Sequence, residues 1–258
     1  QVVICAHGLT RQGRDFDRLA AALAEEGRRV VCPDFPGRGR SDWLAHAEDY
    51  DFPVYLGALA ALIARLGAEA VDWVGTSMGG IAGMMLAAQP GTPIRRMVVN
   101  DIGAVVAKAG LERIKTYVGT DPRFDDVEGV ETYLRQVLAE FGDLAPADWR
   151  HMARHSAVPA GDGRLRLAYD PAIARPFVEG AIEDIVLWKV WEQVAAPTLI
   201  LRGSRSDILA AEIAAEMTRR GRAAERALVR VAEIAGCGHA PALMDRDQIA
   251  LVRDFIAG

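Results

Sequence analysis

Lysine is almost missing from this 258-residue sequence. Only Lys108, Lys115 and Lys189 interrupt a basic complement that is otherwise arginine. The formal charge is -5, and no basic stretch interleaves with aromatic residues. That leaves no footing for a phosphate backbone, so no nucleic-acid partner is expected. Cysteine is scarce and odd in number: Cys5, Cys32 and Cys237 cannot all pair, and no C-x-x-C occurs. A stapled secretory framework is therefore excluded, and Cys5 and Cys32, in strand-like runs, are expected as buried thiols. No apolar run reaches roughly 18 residues, so no membrane-spanning helix is expected. No charged, apolar, small-residue leader opens the chain, which makes cytoplasmic residence the default expectation. H-E-x-x-H and paired cysteines are absent, and the five histidines are scattered along the chain. No G-x-G-x-x-G follows the first strand, and Arg38-Gly39-Arg40-Ser41-Asp42 lacks Walker spacing. Neither a metal nor a cofactor is expected.

What is present is a globular composition, 51% hydrophobic and 25% charged, long enough for one large core or a core with a small lobe. Short apolar runs at Val2–Ala6, Arg29–Cys32, Val71–Gly75, Arg96–Asn100, Thr198–Gly203 and Leu228–Ile234 read as strands. Most lack polar alternation, as strands buried on both faces do. Helical patterns separate them. One runs to about Glu25 with Asp15 as a candidate cap, and one from Phe52 or Pro53 to Leu66, stopped by Gly67. Others cover Gly80–Ala88, Ile208–Arg219 and Arg246–Ile256. This alternation predicts an α/β fold with a mostly parallel sheet and helices on both faces, joined by right-handed crossovers. Between about Val105 and Trp191 the rhythm breaks into helical patterns, including Leu111–Val118, Val127–Phe141, Pro146–Ser156 and Asp184–Val194. Leu165–Tyr169 reads as a strand or a loop. The expected organisation is a core of 1–104 and 192–258 with 105–191 inserted as a helical cap.

The chemistry gathers at Gly75-Thr76-Ser77-Met78-Gly79, a G-x-S-x-G between a strand and a helix. Such a nucleophile elbow lifts a serine out of the backbone on a strained turn, and small neighbours let strand and helix pass closely. A serine hydroxyl needs a base, and the base needs an orienting carboxylate. His239 lies in a glycine-flanked loop after the last strand and is the expected base. Asp207, after the preceding strand, is the expected acid; Asp101, after the strand that follows the elbow helix, is its rival. A tetrahedral intermediate needs amide donors, and the N–H groups of Met78 and of Leu9 are expected to supply them. Gly8 would let the main chain approach the substrate, and His7 would buttress that turn. Arg11 and Arg14 stand beside it as candidates for a substrate carboxylate. Trp188 and Trp191, at i and i+3, share a helix face and are candidate pocket residues with His7, Gly8 and Asp101. The Arg38 loop is expected to hold the Leu9 turn.

Together these motifs resemble the α/β-hydrolase superfamily over nearly the whole length. The resemblance runs through His7-Gly8-Leu9, the Asp34–Asp42 loop, the Ser77 elbow, Gly203-Ser204-Arg205-Ser206-Asp207 and Gly238-His239. It implies an α/β-hydrolase fold with a helical lid, Ser77, Asp207 and His239 as nucleophile, acid and base, and Leu9 and Met78 as oxyanion donors. Dehalogenases and epoxide hydrolases of the superfamily carry an aspartate where this chain has Ser77. The chain looks most like small esterases and lactonases. The implied activity is hydrolysis of small carboxylic esters or lactones through an acyl-enzyme, by a monomer or homodimer. Two alternatives stay open: a carbon–carbon bond hydrolase of ring-cleavage products with the same triad, and a non-catalytic receptor on the same fold. Family members carry a few tens of residues before the His-Gly strand. This chain starts at that strand, which leaves its beginning open as a truncation.

Overall fold

The structure is a computed structural model that describes residues 1–258. Six strands form one sheet: β1 (Val2–Ala6), β2 (Arg29–Val31), β3 (Val71–Thr76), β4 (Ile94–Asn100), β5 (Thr198–Gly203) and β6 (Val229–Ile234). Their order is β6-β5-β4-β3-β1-β2, and every neighbouring pair is parallel. All six strands expected from the apolar runs are found. Along β1, Val2, Ile4 and Ala6 enter one hydrophobic cluster, while Val3 and Cys5 enter a second on the opposite face. That is the period-two alternation of a strand buried on both sides. Each fully buried aliphatic side chain there contributes about 1.5–3 kcal/mol relative to exposure.

Parallel pairing has one consequence for function. The carboxyl ends of β1, β3, β4, β5 and β6 share one rim of the sheet, so the loops bearing His7, Ser77, Asp101, Asp207 and His239 emerge together. Ligands of open parallel sheets bind at this rim.

The helix Phe52–Leu66 shows why local sequence and structure agree. The Asp51 carboxylate accepts the Phe52 N–H at 2.7 Å, Pro53 sits in the first turn, and Gly67 ends the helix at φ +63. Proline costs nothing there, and a left-handed C′ position favours glycine. Tyr55, Leu59 and Ile63, four residues apart, are its buried face. Asp15 does not cap the first long helix as expected. A short 3-10 turn, Gly13–Phe16, precedes the helix Asp17–Glu25, and Asp15 is drawn instead to Arg11.

Residues 105–191 hold the helices Lys108–Lys115, Val127–Val137 and Pro146–Ser156. Leu165–Leu167 is a strand, paired antiparallel with Ala157–Pro159. The helix expected over Asp184–Val194 is reduced to one turn, Trp188–Trp191, because Ile185–Val186 pairs antiparallel with Val105–Val106. Apolar residues of this stretch, among them Val106, Ile114, Val130 and Met152, belong to the same cluster as Ile4 and Trp73 of the sheet. The segment therefore packs on the sheet through a shared core. No helix is long and apolar enough to cross a membrane.

Candidate active site

Ser77 sits between β3 and the helix Met78–Ala87 at φ 53 and ψ -117, a conformation few non-glycine residues adopt. Its neighbours enforce the turn. The Ser77 N–H donates to Asn100 O at 3.0 Å, and Ser77 O accepts from Gly80 N and Ile81 N. A Cβ on Gly79 would lie 2.1 Å from Ala6 O, and one on Gly75 would lie 2.3 Å from Gly79 O. Only glycine fits either position, so the G-x-S-x-G pattern is a packing requirement as well as a chemical one. Trp73, fully buried in β3, donates from its indole to Gly79 O at 3.0 Å and fixes the elbow from beneath.

The His239 imidazole connects the elbow to a carboxylate. Its Nε2 accepts from the Ser77 hydroxyl at 2.9 Å, and its Nδ1–H donates to Asp101 Oδ2 at 2.8 Å. The carboxylate partner is thus Asp101 rather than Asp207. Asp101 is fully buried at φ 54, directly after β4. The Gly203 N–H donates to its Oδ1 and the Ser206 hydroxyl to its Oδ2, both at 2.6 Å. Two donors thus hold this carboxylate on the imidazole, and Ser206 is a positioning residue that sequence reading passed over.

Asp207 departs from expectation for a physical reason. Arg113, on the helix Lys108–Lys115, grips its carboxylate at 2.6 and 2.9 Å. Burial pushes the Asp207 carboxyl up, but the hydrogen bonds and charge of Arg113 outweigh that and hold it below the usual carboxylate range. Both aspartates follow adjacent strands, and the arginine draws one of them away.

His7 buttresses the first loop. Its Nδ1–H donates to Gly8 O at 2.7 Å and its Nε2 accepts the Phe35 N–H at 3.0 Å. Burial, opposed by the Gly8 bond and reinforced by Arg38 and Arg11, lowers its pKa from 6.5 to about 3. In the unfolded chain the ring takes a proton near pH 6.5, whereas the folded ring refuses it until about pH 3. The stability this group provides is complete above pH 6.5. It falls by about 1.4 kcal/mol per pH unit as pH drops toward 3. Urea midpoints measured from pH 7 to pH 4 are expected to fall less steeply in His7→Gln than in wild type; parallel slopes would contradict a neutral buried His7.

Arg38 performs the bracing expected of its loop. Its Nε–H donates to Leu9 O at 2.9 Å, and its Nη1 donates to Pro36 O and to the Tyr55 hydroxyl. The N–H groups of Leu9 and Met78 take no partner among the loop, turn and side-chain hydrogen bonds. A Cβ on Gly8 would meet Ser77 Cβ only at 3.6 Å. The protein therefore leaves room there, and any close approach at Gly8 is on the substrate side.

Two cavities meet at Ser77. The larger, of about 200 Å³, is apolar and is walled by Met78, Ile81, Ile102, Val106, Ile173 and Phe177. The smaller, of about 40 Å³, contains His239 and is lined by Thr10, Arg11, Thr76 and Tyr117. Trp188 and Trp191 line neither. Trp191 is buried, its indole donating to Arg220 O at 2.8 Å, and the Arg220 guanidinium lies 4.2 Å from the Trp188 ring. Arg14 also lies away from both cavities, paired with Asp17. His151 and His155 are less scattered than they read in sequence. One turn apart, they stand with Asp17 so that their ligating atoms lie within 4.8 Å of one another. Arg14 already occupies that group, its guanidinium on Asp17 and its carbonyl on His151.

A parallel sheet carrying an elbow serine hydrogen-bonded to imidazole and carboxylate is the framework of a hydrolase. The sequence model of the alpha/beta hydrolase family matches residues 3–252. A 3-hydroxybutyrate-oligomer hydrolase from Cupriavidus necator is 44% identical over 266 residues, covering 100% of this chain and 89% of that protein. Among solved structures, a protein from Rickettsia typhi superposes with a TM-score of 0.91 at 30% identity, over 100% of this chain and 86% of that one. An alpha/beta hydrolase from Novosphingobium aromaticivorans gives 0.86 at 36% identity, over 99% of this chain and 88% of that one. The chain belongs to the alpha/beta hydrolase family. It is an ester-hydrolysing enzyme.

Proposed function

We propose that this enzyme is a serine hydrolase of short hydroxyacid esters, with oligomers of 3-hydroxybutyrate as its substrate class. One observation carries the mechanism: His239 bridges the Ser77 hydroxyl at 2.9 Å and the Asp101 carboxylate at 2.8 Å. His239 takes the proton as Ser77 Oγ attacks the ester carbonyl, and Asp101 stabilises the imidazolium. The amides of Leu9 and Met78 receive the oxyanion; Met78 opens a helix, whose dipole favours negative charge there. His239 then protonates the leaving alcohol. Water, deprotonated by His239, attacks the acyl-serine and releases the acid. Residues 105–191 act as the cap, a reading supported by Val106, Ile173 and Phe177 in the wall of the larger cavity. The substrate class rests on the 44% identical relative, whose name gives 3-hydroxybutyrate oligomers.

The test is a panel of 3-hydroxybutyrate dimer and trimer, short and long aryl esters, a lactone and a vinylogous ring-cleavage diketone. The hydroxyacid esters are expected to give the highest kcat/KM. Fastest turnover of the diketone would replace ester cleavage by carbon–carbon cleavage, and no turnover of any member would contradict the enzyme reading.

A further inference from the structure

The two cavities at Ser77 differ in a way that fixes the direction of the substrate. His239 must reach the oxygen of the departing alcohol, so that alcohol lies in the cavity His239 lines. The acyl chain then takes the larger cavity, which contains Ser77 but not His239. The acyl side is a wall of isoleucine, valine and phenylalanine. The alcohol side carries Thr10, Thr76, Tyr117 and Arg11, and Arg11 is the only arginine or lysine lining either cavity.

Arg11 is built into this position. It is 8% exposed, its Nε–H and Nη2–H donate to Asp15 at 2.7 Å each, and its Nη1–H donates to Ser156 Oγ at 3.2 Å. A guanidinium has five N–H donors, and these contacts use three. Two remain, on a plane that Asp15 holds rigid. The Arg11–Asp15 pair is neutral as a unit, so it offers directed hydrogen bonds more than bare charge. A second small cavity shares Thr10, Arg11, Tyr117 and Leu138 with the first and adds Tyr133 and Tyr169, whose hydroxyls are engaged with Thr120. The alcohol side is thus smaller and more polar than the acyl side, with Arg11 as its cationic donor, which suits a carboxylate.

We propose that Arg11 recognises a free carboxylate on the leaving alcohol, so that the enzyme cuts the ester bond next to the carboxyl end of an oligomer and releases one hydroxyacid at a time. This rests on the hydroxyacid-ester reading above. Water adds across that bond: the penultimate unit keeps the acyl carbon as a new carboxylate, and the terminal unit leaves as a hydroxyacid. That new carboxylate is the handle for the next cut.

The test compares a 3-hydroxybutyrate trimer, isotopically labelled in its carboxyl-terminal unit, with the methyl ester of the same trimer. Wild type is expected to release labelled monomer first and to favour the free acid over the methyl ester by about tenfold or more in kcat/KM. In Arg11→Gln that ratio should collapse toward one. A loosened fold would lower both rates together and keep the ratio, which separates recognition from bracing of Ser156. Unlabelled monomer first, or equal wild-type rates on both trimers, overturns the carboxylate subsite and leaves ester hydrolysis intact. An unchanged ratio in Arg11→Gln removes Arg11 from it. Turnover of neither trimer overturns the hydroxyacid-ester reading together with this one.

Discussion

Asp101→Asn is expected to lower kcat by about four orders of magnitude, and Asp207→Asn by less than about tenfold. The reason is tautomeric. Asp101 accepts the proton on His239 Nδ1 at 2.8 Å, which leaves Nε2 free to accept from Ser77. An asparagine is held at the same place by Gly203 N–H and the Ser206 hydroxyl, both of them donors to the aspartate. Its carbonyl oxygen must serve the Gly203 N–H, which can only donate, whereas the Ser206 hydroxyl can turn to accept; the amide nitrogen therefore takes the position facing the imidazole and favours the tautomer protonated on Nε2. That imidazole can no longer take the serine proton. Asp207→Asn loses instead a pair with Arg113 in which both side chains are about a third exposed. Solvent screens such pairs, and their typical worth is about 0–1 kcal/mol. Steady-state kinetics on a common aryl ester, with melting curves of both variants, check this. A large loss in Asp207→Asn with Asp101→Asn near wild type would restore the assignment that the loop positions alone suggested.

Ser77→Ala is expected to lower kcat by about a millionfold with the fold preserved. The strained backbone at this residue is imposed by the Asn100 bond, the helix start and the close passage of Gly75 and Gly79. None of these involves Oγ, and alanine has the same backbone constraints as serine. The variant loses only the hydroxyl that His239 accepts from. A matching loss in melting temperature would instead point to a structural serine.

Much of this was legible in the sequence, and the limits have physical causes. The strands could be read because each must be apolar on both faces, and the elbow because packing permits only glycine beside Ser77. Tertiary partners decided the rest. Asp101 and Asp207 end adjacent strands, and nothing local shows that Arg113, 94 residues from Asp207, will draw that carboxylate away. One local hint existed. Asn100-Asp101 ends a strand with a residue type that tolerates positive φ, the conformation Asp101 adopts. Trp188 and Trp191 do share a helix turn, but periodicity cannot say which face meets the substrate, and Arg220 claims them. The pairing of Ile185–Val186 with Val105–Val106 spans the whole insertion, so a local window read helix where a ladder forms. Arg11 was visible beside the turn, yet its two unspent donors and its place in the cavity wall emerge only from the packing of Asp15 and Ser156.

The most direct test is active-site labelling with a fluorophosphonate, mapped by peptide mass spectrometry in wild type, Ser77→Ala and Asp101→Asn. Wild type is expected to carry the adduct on Ser77, Ser77→Ala to carry none, and Asp101→Asn to label far more slowly at the same serine. Full labelling of Ser77→Ala, or an adduct on any other residue of wild type, would contradict a nucleophile activated by His239 and Asp101.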